Sequence, residues 1–180
     1  MAVDERIGIV KFRGQDVTVV GEDLQVGQTA PEFIVQDLDW KSFKGLANTQ
    51  GKVRIISSLL SLSTDVCDTE TRRFNEAAAA LSDDIVILAI STDLPFTQKN
   101  WCGAHGVDKV KVLSDHLWTD FGQRYGVLIK ELRFLRRAVF VVDKKDCLTY
   151  AAYMPVMSEE PDYNEVMKAA RAALASGGKT

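Results

Sequence analysis

The sequence predicts an α/β fold in which helices cover a central mixed β-sheet, and three observations lead to this prediction. Two apolar runs, each followed by a helical pattern, occupy residues 53–103, which is the order of a parallel βαβ unit. Two more apolar runs, at 137–142 and 148–152, flank a charged turn and are typical of an antiparallel hairpin. A helical pattern over 163–175 follows them.

The N-terminal segment predicts short strands that precede the main sheet. Residues 7–12 and 17–20 flank a turn that contains Gly14, which indicates an N-terminal β-hairpin. Residues 31–36 and 40–43 are expected to form two short strands around an acidic turn.

The central unit begins with the apolar run 53–60, which predicts a buried strand. Apolar residues at helical spacing then predict a helix over about 67–81, and the β-rich run 85–90 predicts the next strand. Pro95 is suited to the first turn of a second helix, which is expected to end near Gly103.

The C-terminal part adds a short strand at 110–113, a short helix at 117–125, the predicted hairpin and the last helix. A βαβ unit first and a hairpin with a helix last is the order of a thioredoxin-like fold. The chain contains no linker or internal repeat, so residues 1–180 are expected to form one domain.

Charge and hydropathy exclude several classes of partner. The 180 residues carry 22 basic and 25 acidic side chains, and without a basic block nucleic acid is not expected as a partner. No stretch of apolar residues is long enough to span a membrane, and the first residues lack the apolar region of a signal peptide. We therefore expect a cytoplasmic protein.

The chain has three cysteines, Cys67, Cys102 and Cys147, which is an odd number. The cytoplasm in which we expect the protein is a reducing compartment. Stable disulfides are rare there, and paired cysteines more often serve catalysis or sensing. No two of them form a CxxC motif, and His105 and His116 are too few and wrongly spaced to complete a zinc site. No metal is expected.

Cys67 is predicted to lie in the first turn of the helix that follows the first buried strand. The free amides and positive dipole of a helix N-terminus favour a thiolate, which is the nucleophilic form of cysteine. On this local pattern a buried, unreactive cysteine is about as well supported. Thr64 has two interpretations as well: a hydroxyl directed at the thiolate, and, better supported by its spacing, a helix N-cap.

Several motifs resemble the bacterial thiol peroxidases, a branch of the peroxiredoxins. They are TDVCDTETRRF (64–74), DLPFTQ (93–98), WCGA (101–104), YGV (125–127), RAV (137–139), EPDY (160–163), and, near the N-terminus, FRG (12–14) and LQVGQTAP (24–31). The resemblance extends from about residue 12 to residue 174 and so covers nearly the whole chain.

The resemblance implies a role for four residues. It implies that Cys67 attacks the peroxide and that Cys102 resolves the resulting sulfenic acid as an intramolecular disulfide, which thioredoxin then reduces. It also implies that Thr64 and Arg137 activate the thiolate. These roles agree with thiol chemistry, because condensation with a second thiol protects a sulfenic acid from irreversible oxidation. Cys147 matches no role in the family.

The resemblance further implies a homodimer packed near the active-site loops, no cofactor, and alkyl or lipid-like hydroperoxides as substrates alongside hydrogen peroxide. Leu60 and Ser63 stand where the family usually has proline and aspartate. Leucine frees φ and restores a backbone N–H, so we expect a less rigid loop and a more exposed Cys67.

Two other functions are consistent with the same residues. A non-enzymatic redox sensor or partner-binding protein of this fold would form the disulfide between Cys67 and Cys102 once and would not turn over. A phosphate-binding domain would use the helix N-terminus after Leu60, but the sequence has no Gly-rich loop and no P-loop lysine.

Overall fold

In the computed structural model, which describes residues 4–177, strands and helices alternate through the middle of the chain. Within that range the elements are β1 (Glu5–Phe12), β2 (Gln15–Val20), β3 (Ile34–Gln36), β4 (Ser42–Lys44), β5 (Val53–Ser58), α1 (Asp65–Ala78), β6 (Ile85–Ser91), α2 (Pro95–His105), β7 (Lys111–Ser114), α3 (Asp120–Arg124), β8 (Leu128–Ile129), β9 (Ala138–Val142), β10 (Leu148–Tyr153) and α4 (Tyr163–Ser176).

Seven strands form the main sheet in the order β10-β9-β5-β6-β7-β3-β4. β5, β6 and β7 pair in parallel, whereas β9 pairs antiparallel with β5 and with β10. The prediction of a mixed thioredoxin-like sheet is therefore confirmed. The N-terminal hairpin is also confirmed, but β1 and β2 join β8 in a separate three-stranded sheet that the sequence did not predict.

The central strand β5 is buried on both faces and divides the core in two. Ile55 packs on the side that carries Cys67 of α1, Cys102 of α2 and Val166 of α4, whereas Ile56 packs on the side of α3. The crossovers from β5 to β6 and from β6 to β7 are parallel connections, and the right-handed rule places α1 and α2 on the same face. Both cysteines of the predicted disulfide therefore lie on one side of the sheet.

Several predicted boundaries differ from the structure. α1 begins at Asp65, so Cys67 is its third residue, and α2 continues through Gly103 to His105. Trp40 was expected to begin a strand, but its φ of 66° places it in the turn. α3 begins at Asp120 because Thr119, with φ of 49°, interrupts the helical path. No helix within residues 4–177 is long and apolar enough to cross a membrane.

Candidate active site

Cys67 lies in the first turn of α1, directly after the loop that leaves the C-terminal end of β5. A parallel strand followed by a helix directs the free amides of the helix N-terminus to this edge of the sheet. The side chain of Cys67 is fully buried. The expectation that Leu60 leaves Cys67 exposed is therefore not met, and Leu60 itself packs, partly buried, against the same core.

Arg137 reaches Cys67 from the start of β9. Ser58, the last residue of β5, pairs with Ala138 in the antiparallel register, so the residue before Ala138 lies beside the loop that leads to α1. Its Nη2 lies 3.3 Å from the Sγ of Cys67. A permanent cation at this distance stabilises negative charge on the sulfur. The structure thus brings together two of the residues predicted for the site.

Glu70 holds the other side of the guanidinium, one helical turn after Cys67. Its Oε2 pairs with the Nη1 of Arg137, and its Oε1 accepts a 2.6 Å hydrogen bond from the hydroxyl of Ser57 in β5. Both charged side chains are almost completely buried. Ser57, Glu70, Arg137 and Cys67 therefore form a continuous polar chain inside an apolar core.

Burial and neighbouring charges act in opposite directions on the pKa values of Glu70 and Arg137. Burial raises the pKa of Glu70, while the charge of Arg137 and the hydrogen bonds from Ser57 and Arg137 act to lower it. Burial acts to lower the pKa of Arg137, but the charges of Cys67 and Glu70 outweigh it and raise that pKa. The guanidinium therefore remains a fixed positive charge next to the sulfur.

The segment between β10 and α4 completes the site. The carbonyl of Met157 accepts hydrogen bonds from the Nε and Nη2 of Arg137, at 3.3 and 3.2 Å. This segment is anchored by Glu160, whose Oε2 lies 2.9 Å from the Nη1 of Arg73 and accepts a 2.8 Å hydrogen bond from the hydroxyl of Tyr163. With Glu70, the carbonyl of Met157 fixes the orientation of the guanidinium.

A shallow pocket of about 300 Å³ opens at Arg137. Its apolar wall comes from Phe12, Leu60, Val66 and Met157. Phe12 belongs to the N-terminal hairpin, so the small sheet contributes to the site. The pocket places an apolar surface beside one cationic group.

The loop before α1 is held by Asp93, which follows β6. Its carboxylate accepts hydrogen bonds from the hydroxyl of Ser61, at 2.7 Å, and from the backbone N–H of Leu62, at 2.8 Å. It also accepts a 2.8 Å hydrogen bond from the hydroxyl of Ser91. These contacts tie the loop to the end of the neighbouring strand, which accounts for an ordered loop without the family's proline at position 60.

Thr64 occupies the N-cap position of α1, as its spacing predicted, but its side chain makes no capping hydrogen bond. Its hydroxyl instead donates a 2.9 Å hydrogen bond to the carbonyl of Ser61. Thr64 also lines the pocket at Arg137. Because a hydroxyl has one proton, its oxygen is then available to a bound molecule only as an acceptor.

Cys102 lies in the last turn of α2 and is mostly buried in the same core cluster as Cys67. Burial raises the pKa of its thiol. All three cysteines are free thiols, and Cys147, at the turn before β10, is half-buried. Within residues 4–177 no group of histidine, cysteine, aspartate and glutamate side chains is arranged to hold a metal ion.

Sequence reasoning missed Ser57, Glu70 and Met157. Glu70 carried a usable signal, because it follows Cys67 by three residues on the buried face of α1, where an acidic side chain requires a partner. Met157 contributes a main-chain carbonyl from an irregular segment, and no side-chain pattern identifies such a group.

Comparisons with known proteins identify the family of the chain. The Redoxin family model matches residues 25–167. The thiol peroxidase of Oceanobacillus iheyensis is 50% identical over 158 residues, which cover 88% of this chain and 95% of that protein. The thiol peroxidase of Bacillus subtilis is 48% identical over 165 residues, which cover 92% and 98%.

A solved structure shows the same fold. The peroxiredoxin-like protein from Aquifex aeolicus superposes with a TM-score of 0.83 at 37% identity, over 91% of this chain and 96% of that one. Sequence relatives, family model and fold thus agree over most of the chain. The chain therefore belongs to the Redoxin family and, within it, to the peroxiredoxin-type thiol peroxidases, which reduce peroxides with thiols.

Proposed function

We propose that Cys67 is the nucleophile of this peroxidase and that Arg137 and Thr64 stabilise the reacting atoms. The observation that carries the proposal is the 3.3 Å contact between the Sγ of Cys67 and a buried guanidinium. A core cysteine with no reactive role needs no buried cation, because burying a charge is unfavourable unless it is paired and hydrogen-bonded. The site thus favours the catalytic interpretation of Cys67 over the structural one.

In the first step the thiolate attacks one oxygen of the peroxide, so that an S–O bond forms and the O–O bond breaks. Cys67 is oxidised to the sulfenic acid, and the other oxygen takes up a proton and leaves as water or an alcohol. Negative charge moves from the sulfur to the leaving oxygen, and Arg137 is positioned to stabilise it at both atoms. The oxygen of Thr64 accepts the hydrogen bond of the peroxide O–H.

The pocket supports organic hydroperoxides as substrates in addition to hydrogen peroxide. Phe12, Leu60 and Val66 offer an apolar surface next to Arg137, where the alkyl part of such a substrate is removed from water. Hydrogen peroxide has no alkyl part, so it contacts only the polar groups and gains no binding energy from the apolar surface.

We assign the second step to Cys102. Its thiol attacks the sulfur of the sulfenic acid, the disulfide forms and water leaves, and a thioredoxin-type dithiol then reduces the disulfide. Both cysteines lie on the same face of the sheet, which supports this pairing. Cys147 lies at the turn before β10 and takes no part.

We further propose that the enzyme is a cytoplasmic homodimer that associates near the active-site loops. Phe96, at the start of α2, is 65% exposed and packs against Trp40 with a ring-centroid distance of 4.8 Å. Leu94 beside it is also exposed. An exposed aromatic group next to Asp93 and its loop is a suitable surface for a second copy. Sedimentation of the wild type and of Phe96→Glu tests this.

The central test measures peroxide consumption with thioredoxin, thioredoxin reductase and NADPH. Cys67→Ser is expected to abolish turnover, and Cys147→Ser, the matched control, is expected to retain it. Cys102→Ser is expected to consume one equivalent of peroxide and to stop with Cys67 as the sulfenic acid, or two equivalents where that acid is oxidised further to the sulfinic acid; mass spectrometry detects both species. Equal losses in Cys67→Ser and Cys147→Ser would contradict the assignment.

A further inference from the structure

The residues next to the two cysteines are joined directly to each other. Trp101, which precedes Cys102 in α2, donates a hydrogen bond of 3.1 Å from its Nε1 to Asp68, which follows Cys67 in α1. The Nε2 of His105 lies 3.3 Å from the same carboxylate oxygen, and its ring stacks on Trp101 with centroids 4.6 Å apart. We call Asp68, Trp101 and His105 the α1–α2 clasp.

The helical turn that the clasp holds is intrinsically weak. Gly103 lies inside it, and glycine lowers the stability of a helix because it loses more backbone freedom than other residues on ordering. Gly106 ends the helix in the left-handed conformation, with φ of 63°. A Cβ built on Gly103 meets no heavy atom within 4 Å, so packing does not require glycine there.

Main-chain hydrogen bonds hold Cys102 in this turn. The backbone carbonyl of Cys102 accepts hydrogen bonds from the backbone N–H groups of Gly106 and Val107, which close the end of α2. Its side chain is mostly buried and lines a groove of about 400 Å³ together with Leu38 and Val112. Since burial also raises the pKa of the thiol, the folded turn keeps Cys102 in its less reactive, protonated form.

We propose that the α1–α2 clasp controls how often the last turn of α2 unwinds, and thereby sets the rate at which Cys102 resolves the sulfenic acid on Cys67. This inference rests on the proposed roles of the two cysteines. In the resolving step the sulfur of Cys102 forms a bond to the sulfur of Cys67, the S–O bond breaks, and the oxygen leaves as water with the proton of the thiol. Trp101 and Asp68 are positioning residues, since they act through the turn that carries Cys102.

Two substitutions change the same turn in opposite directions. Trp101→Phe removes the indole N–H and keeps an aromatic ring for His105, so the turn opens more often and resolution is expected to be about two- to tenfold faster. Gly103→Ala favours the helix, so resolution is expected to be about two- to fivefold slower. Trp118→Phe, on the exposed loop before α3, is the matched control and is expected to behave as wild type.

The readout is the competition between resolution and over-oxidation. Mass spectrometry after a peroxide pulse gives the ratio of disulfide to sulfinic acid at Cys67, and that ratio follows the resolving rate because over-oxidation occurs at the unchanged site of Cys67. The ratio should rise in Trp101→Phe and fall in Gly103→Ala, while the rate of the first peroxide reaction stays the same. Hydrogen exchange of amides 101–106 should change in parallel, being faster in Trp101→Phe and slower in Gly103→Ala.

The outcome separates this inference from the proposed function on which it rests. If Cys102→Ser still forms an intramolecular disulfide under peroxide, the assignment of Cys102 as the resolving cysteine is wrong. If Cys102→Ser stalls as expected but the ratio is unchanged in both turn variants, or shifts in the same direction in both, only the role of the clasp is wrong. A change in Trp118→Phe equal to that in Trp101→Phe also overturns the role of the clasp.

Discussion

Cys67 and Cys102 lie on the same face of the sheet, but the structure surrounds them with different chemistry. Cys67 is fully buried and contacts the guanidinium of Arg137, which Glu70 and the carbonyl of Met157 hold in place. Cys102 lies among apolar side chains in the last turn of a short helix, and burial raises the pKa of its thiol. The sulfur of Cys67 has a buried cation beside it, whereas Cys102 belongs to an apolar cluster and lies in a weak helical turn.

This difference indicates that the two thiols are prepared for different steps. In the proposed mechanism Cys67 has its partners in place in the folded state, because stabilising a developing charge requires groups that do not need to move. In the same proposal Cys102 reacts when its turn opens. In the proposed mechanism a rigid site and a locally unstable segment thus coexist on one side of the sheet, and substitutions around Cys67 and around Cys102 should impair different steps.

Among the variants that keep both cysteines, the largest effect is expected for Arg137→Lys. Lysine keeps the charge but offers a single ammonium, which cannot replace the fork of donors that contacts Glu70, Met157 and Cys67 together. We expect kcat/KM for peroxide to fall about 10²-fold. Peroxide consumption measures the loss, and thermal unfolding shows whether the fold persists. Near-wild-type kcat/KM in a folded variant would contradict the role of Arg137.

Glu70→Gln should have a smaller effect, since Glu70 orients Arg137 and does not touch the peroxide. Glutamine keeps the size of the side chain and a hydrogen-bond acceptor for Ser57 but loses the charge that pairs with the guanidinium. We expect kcat/KM to fall about tenfold, the size of a lost charged hydrogen bond. Glu76→Gln, on the exposed face of the same helix, is the matched control, and an equal loss in both would count against this role.

The apolar surroundings of Cys102 also predict that its thiol reacts slowly in the folded protein. In Cys67→Ser, iodoacetamide should label Cys102 more slowly than Cys147, because Cys102 is more deeply buried and its pKa is raised. In denaturant the two rates should become equal. Peptide mapping at several times measures both cysteines in one sample, so Cys147 serves as the internal control. Equal labelling in the native protein would show that the last turn of α2 does not protect Cys102.

The smallest effect is expected for the double variant Leu60→Pro, Ser63→Asp, which restores the family pattern. The backbone N–H of Leu59 donates a hydrogen bond to the carbonyl of Ile90, and Asp93 accepts hydrogen bonds from Ser61 and Leu62. None of these contacts uses the N–H of residue 60, so proline at that position leaves them in place. We expect stability to rise by about 0.4–1 kcal/mol through the unfolded state, with little change in the peroxide rate. Thermal unfolding and stopped-flow kinetics measure the two effects separately, and a large gain in rate would show that the natural loop is imperfectly held.

The sequence predicted the architecture well and the site only in part. The hairpins, the parallel unit and the last helix carried strong patterns, and each is found in the structure. β8 was missed because two residues contain no periodicity. Cys67 and Arg137 were predicted for the site through motifs, but their contact depends on the antiparallel register of β5 and β9. The local pattern around Cys67 supported a core cysteine as well as a reactive one, and the buried cation is what favours the reactive interpretation.

The sequence by itself determined the α/β order, the place of Cys67 at a helix start, and the family to which the motifs point, because these depend on neighbours along the chain. Only the tertiary structure decided which groups meet the sulfur. Glu70, Arg137 and Met157 come from three separate segments, and their contacts follow from strand register and from burial of charges that must be paired. The same holds for Trp101 and Asp68, which are 33 residues apart in the chain and within hydrogen-bond distance in the fold.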